Sequence, residues 1–96
     1  MTLNGAKMVI IGNFKVSKGY QAWKKAFLAN EKMRQEHGIK VLAYGQNEMD
    51  SNNVYTVTEV PSLETMQNLM KEPEMIKLRE DAGVIAETQE MVRIKE

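Results

Sequence analysis

KMVIIGNFKV, Lys7 to Val16, is the stretch on which the fold turns. Read as a β-strand, it places Met8, Ile10, Phe14 and Val16 on one side and Val9, Ile11, Asn13 and Lys15 on the other. Both sides are partly apolar, whereas a strand with one solvated face reads polar at every second position. The same two-sidedness recurs in IKVLAYGQ, Ile39 to Gln46, where Val41 opposes Leu42 and Tyr44. It recurs again in VYTVTEV, Val54 to Val60, where Val54 opposes Val57.

The intervening segments read as helices and turns. Ser17 is the expected N-cap of a helix from Lys18 to His37, which Gly38 ends with a left-handed residue. The polar run NEMDSNN joins the second and third strands as a hairpin. Pro61 and Ser62 open a helix with Leu63, Met66, Leu69 and Met70 at helical spacing. Proline is disfavoured inside a helix but favoured in a first turn, so Pro73 separates off a short helix, Glu74 to Ala82, stopped by Gly83. Val84 to Ile94 is the last strand.

The order β-α-β-β-α-α-β predicts an α+β, ferredoxin-like fold: a four-stranded antiparallel sheet with its helices on one face, in a single domain over residues 1–96. One apolar face is then left bare, and a chain of 96 residues has nothing left to cover it. A homodimer packed through the sheet faces is the expected solution.

Composition narrows the function. Thirteen basic and thirteen acidic side chains cancel, without the basic patch of a nucleic-acid or anionic-membrane binder. The third strand also lacks the aromatic-and-basic pattern of RNA-recognition sheets. The apolar run Met8 to Ile11 is far too short for a signal or spanning segment, so a cytoplasmic location is expected. With no cysteine and one histidine, a metal site is not expected. Ser17, Ser51 and Ser62 sit at turns or caps without a nucleophile elbow, and Gly12, Gly45 and Gly83 form no phosphate or dinucleotide loop. Glu80 and Asp81 read as solvated charges at a helix end. Eight methionines serve either as core filler or as the lining of an adaptable apolar surface.

The first helix carries the candidate site. Tyr20, Trp23, Ala26, Phe27, Asn30, Met33, Arg34 and His37 share one side of it. Burying an aromatic side chain gains roughly 4 to 6 kcal/mol before entropy, against about 1 to 3 kcal/mol for an unpaired amide, so the aromatics dock and carry Asn30 inward. Asn30 then needs a partner: a structural hydrogen bond, a water or a bound molecule. His37 either caps the helix end or enters the same cavity, two turns and about 10 Å away. That separation frames a small organic molecule better than a metal.

SLETMQNLMKEPEMIKL, Ser62 to Leu78, resembles the helix, short proline-containing break and second helix of the dimeric α+β barrel superfamily, which includes antibiotic-biosynthesis and haem-degrading monooxygenases. HGIKVLAYGQ and REDAGVIAETQEMV are similar to its small stand-alone members with no assigned activity. The resemblance implies an asparagine on the first strand, a tryptophan from the sheet and a histidine on the last helix in haem-degrading members. Asn13 could match the first, but Glu59 or Val60 stands near the tryptophan's place and Arg79 near the histidine's, so no haem and no other cofactor is expected. Cofactor-free relatives surround an aromatic substrate with asparagine, tryptophan and arginine, types that Asn30, Trp23 and Arg79 supply from other positions.

Two main readings stay open. One is a protein that binds a small, largely apolar or aromatic molecule between sheet and helices, with Trp23, Phe27, Asn30, His37, Tyr44 and Arg79 as candidate contacts. The other is a cofactor-independent monooxygenase or isomerase in which His37 or Asn30 assists proton removal. A subunit that docks another protein through its sheet is a third, minor reading.

Overall fold

The computed structural model describes residues 8–94; Lys7, the expected first residue of the first strand, lies outside them. The elements run β1 (Met8–Val16), α1 (Tyr20–Ala29), α2 (Glu31–Glu36), β2 (Lys40–Asn47), β3 (Asp50–Val60), α3 (Leu63–Lys71), α4 (Pro73–Asp81) and β4 (Val84–Ile94). The strands form one sheet in the order β2-β3-β1-β4, with every neighbouring pair antiparallel. This is the α+β, ferredoxin-like arrangement that the order of elements predicts.

Directly paired residues of antiparallel strands share a face, so Ile10 with Thr58, Gly12 with Thr56 and Phe14 with Val54 mark one side of the sheet. The core lies on that side. Phe14, Val16 and Val54 pack with Trp23 of α1 and with Ala82, which follows α4. Ile10, Ile39 and Val60 pack with Leu69 of α3. The opposite face carries Val9, Ile11, Tyr55, Val57, Val92 and Ile94, and none of the helices packs on it among the described residues. Val92 is 61% and Ile94 46% exposed, large values for aliphatic side chains in a sheet. No helix among the described residues is long and apolar enough to cross a membrane.

Several local signals act as their chemistry dictates. The Ser62 hydroxyl accepts the Thr65 N–H at 3.1 Å and caps α3. Pro73 stands in the first turn of α4, where its missing N–H costs nothing. Gly83 then turns the chain into β4 at φ +89°, a left-handed conformation suited to glycine.

Other expectations need correction. Ser17 is not a helix cap: its N–H donates to the Gly83 carbonyl at 2.7 Å and its hydroxyl to the same oxygen at 3.3 Å, which ties the end of β1 to the head of β4. The helix starts later, at Tyr20. It is also not continuous to His37, because the Asn30 side-chain amide donates to the Ala26 carbonyl at 2.8 Å. That oxygen is the acceptor the Asn30 backbone N–H would use in a regular helix; the N–H instead meets the Phe27 carbonyl at 3.2 Å, and α1 gives way to α2.

The hairpin turn is tighter than its polar composition suggests. β3 starts at Asp50 rather than Val54, with Asn47 paired to Asp50 and the Asn47 side-chain oxygen accepting the Met49 N–H at 2.8 Å. Ser51 and Asn52 are exposed, so no apolar alternation is required of them there. Two irregularities also shift the strands. Leu42 is an extra residue between the Val41–Thr58 and Ala43–Val57 pairs, which brings Val41 and Tyr44 to the helix side together rather than to opposite sides. In β4 the register jumps between Glu90 and Ile85, where the Thr88 hydroxyl accepts the Lys15 N–H at 2.8 Å in place of a ladder carbonyl.

Candidate small-molecule cavity

Between the sheet and the helices lies a partly open cavity of about 150 Å³. Its floor is Ile10, Gly12, Phe14, Thr56 and Thr58, and its walls are Trp23, Ala26 and Phe27 of α1, Met66, Leu69 and Met70 of α3, and Met75 and Leu78 of α4. Gly12 keeps the floor low: a Cβ there would meet Thr56 Oγ1 at 3.4 Å and Met91 Cγ at 3.8 Å, ordinary contact distances that would fill space without displacing the strand. The polar groups among the lining residues are few. They are Asn30, Arg34, Thr56, Thr58, Arg79 and Gln89.

An aromatic row forms one wall. Trp23, 3% exposed, stacks on Phe27 with ring centroids 4.6 Å apart and meets Phe14 at 5.9 Å. Tyr20 and Tyr44 brace the same tryptophan at 5.7 and 6.1 Å, and Tyr44 also meets Phe27 at 5.3 Å. Burial, reinforced by the neighbouring Tyr44, raises the pKa of the Tyr20 hydroxyl. The row exists because Tyr20, Trp23 and Phe27 recur at spacings of three and four, one face of α1.

Four of the candidate residues, Trp23, Phe27, Asn30 and Arg79, line this cavity. Tyr44 lies behind the aromatic wall. His37 lies elsewhere: it is exposed, and its Nδ1–H donates to the Met33 carbonyl at 2.9 Å, capping α2. It borders a separate groove with Met33, Glu36, Glu72 and Glu74, which Asn30 also touches. No group of three or more His, Cys, Asp or Glu among the described residues could hold a metal ion.

The two arginines give the cavity its charge. Arg34 holds its Cζ 3.8 Å above the Phe27 ring, and Arg79 holds its Cζ 5.3 Å from the Phe14 ring centroid. Burial lowers the pKa of both, with Glu31 opposing the shift at Arg34. Cation–π contact of this kind is worth about 0.5 to 2 kcal/mol. Sequence reading missed Arg34 as a site residue, along with Gly12, Thr56, Thr58 and Gln89. Arg34 carried a signal, since it follows Asn30 by four positions on the same stripe. The sheet residues carried none, because their meeting depends on strand register.

The family described as a domain of unknown function (DUF3764) matches residues 8–96. The chain belongs to this family. No curated protein matches it. Solved structures do: a candidate antibiotic biosynthesis monooxygenase from Nitrosomonas europaea is similar with a TM-score of 0.72 and 16% identity, over 100% of this chain and 95% of that one. A nipsnap family protein with unknown function from Agrobacterium tumefaciens gives 0.69 and 16%, over 98% and 91%. SnoaB, a cofactor-independent oxygenase from Streptomyces nogalater, gives 0.66 and 9%, over 95% and 93%. At these identities the likeness establishes the fold shared with antibiotic-biosynthesis-monooxygenase-like proteins. It does not carry their chemistry.

Proposed function

We propose that this chain binds a small, largely apolar or aromatic organic molecule between its sheet and helices, as a cytoplasmic homodimer closed through the bare sheet faces. The observation that carries the reading is the cavity itself, walled by aromatic and methionine side chains with a few polar groups able to orient a guest. Trp23 and Phe27 supply the stacking surface, while Asn30 and Arg79 supply polar contacts. Tyr44 acts from behind the wall. His37 is proposed as a helix cap rather than a contact.

An enzymatic role as a cofactor-independent oxygenase or isomerase is the second reading, favoured by the fold shared with SnoaB and by Trp23, Asn30 and Arg79 bordering one space. Against it, the cavity lining among the described residues contains no histidine and no carboxylate to take a proton from a substrate. Binding therefore ranks first.

Native mass spectrometry of the purified protein tests the proposal, comparing the intact chain with Phe27→Ala. A small organic adduct on the first, diminished on the second and released by denaturation, is the expected result. Absence of an adduct, together with no thermal stabilisation by a panel of naphthalene and phenyl compounds, would rule the proposal out. Oxygen uptake on adding a phenolic polycyclic probe would move the second reading ahead.

A further inference from the structure

We infer that the guest is an organic anion, an apolar or aromatic body bearing a carboxylate that one of the two cavity arginines, Arg34 or Arg79, receives. This rests on the cavity being the binding site, and it concerns the head group alone. Two guanidinium groups enter a space whose lining, among the described residues, contains no acidic side chain. Each stands on one end of the same aromatic row: Arg34 over Phe27 at 3.8 Å, Arg79 by Phe14 at 5.3 Å, with Trp23 between the two rings.

Stacking engages the flat face of a guanidinium and leaves its N–H donors, which lie in the plane, still requiring acceptors. Among the described residues no protein oxygen accepts from either guanidinium. Arg34 Nε is buried with no hydrogen-bond partner among the described residues, and the one polar contact of the Arg79 side chain among them is Nη1 to the Met70 sulfur at 4.0 Å, a weak acceptor. Glu31, one turn before Arg34, acts on it through space but forms no ion pair with it among the described residues.

Burial disfavours the charge on both side chains, yet arginine stays protonated at any ordinary pH. A neutral hydrocarbon guest would cover these donors without answering them, a neutral carbonyl would accept from them without balancing the charge, and a cationic guest would be repelled. A carboxylate fits the planar fork of donors and adds charge-assisted hydrogen bonds.

Titration calorimetry on the full chain decides the point with three probes of one shape: naphthoate, naphthamide and naphthylmethylamine. Naphthoate is expected to bind at least about tenfold more tightly than naphthamide, with the amine weakest. Whichever of Arg34→Met and Arg79→Met removes the carboxylate's partner should erase most of that preference, weakening naphthoate far more than naphthamide. Rising salt should weaken naphthoate alone. The salt series on the unaltered chain, with Arg34→Lys and Arg79→Lys, decides the matter even where a methionine variant fails to fold. Equal affinity for naphthoate and naphthamide, or a preference that survives both substitutions and salt, would overturn the anionic head group and leave the cavity reading intact. Failure of all three probes to bind would overturn both.

Discussion

A glutamate in place of Val92 tests whether the bare sheet face is an interface. Val92 is 61% exposed and shares that face with Ile94, Ile11 and Tyr55. Fully burying such a side chain gains about 1.5 to 3 kcal/mol, so covering the exposed 61% of Val92 is worth roughly 1 to 2 kcal/mol. A two-fold interface contains the residue twice, which makes the loss roughly 2 to 4 kcal/mol before the cost of desolvating two carboxylates. The dimer dissociation constant should rise roughly 30- to 1,000-fold. Sedimentation velocity over a concentration series reads this directly, with Ile76→Glu on α4, an exposed position on the helix side, expected to change nothing. An unaltered chain that sediments as a monomer at micromolar concentration, or a Val92→Glu variant that dimerises undiminished, would refute the reasoning.

Other outcomes follow from single contacts. Trp23→Ala removes the hub of the aromatic wall and should cost about 3 to 5 kcal/mol in denaturant unfolding; a loss below about 1 kcal/mol would show that the hub is not central. Gly83→Ala should cost at least about 1 to 2 kcal/mol, because φ is +89° and the new Cβ would lie 3.0 Å from the Lys18 backbone nitrogen; an unchanged melting temperature would contradict that geometry. The Asp50 carboxylate is held below the usual range by its hydrogen bond from Lys15, then by the Asn52 N–H. A lowered folded pKa gives stability that is present above the unfolded carboxylate range and lost as pH falls through the folded value. Asp50→Asn and the unaltered chain should therefore differ most near neutral pH and converge in acid, and a gap that widens on acidification would be inconsistent with this contact.

The sequence made the sheet legible because two-sided strands such as Met8 to Val16 leave few architectures open, and Ser62, Pro73 and Gly83 punctuate α3 and α4 by local chemistry. Boundaries failed where tertiary contact overrode local preference. Ser17 looked like a cap until β4 came alongside and took its donors. Asn30 looked like a site residue held in a straight helix, yet its amide breaks that helix while its position still borders the cavity. Trp23 and Phe27 were readable from helical spacing alone. The cavity floor was not, because Gly12, Thr56 and Thr58 come together only through the β1–β3 register, and His37 differs from a cavity residue only by where the chain turns after Asn30.

Methionine methyl resonances offer the most direct test of the cavity. Met66, Met70 and Met91 line it, Met33 borders the neighbouring groove, and Met49 is 91% exposed at the hairpin turn. In spectra of methyl-labelled protein titrated with naphthoate, the first three signals should move together and saturate while those of Met33 and Met49 stay in place. Movement confined to Met33, or binding seen by calorimetry with Met66, Met70 and Met91 unmoved, would contradict a guest between the sheet and the helices.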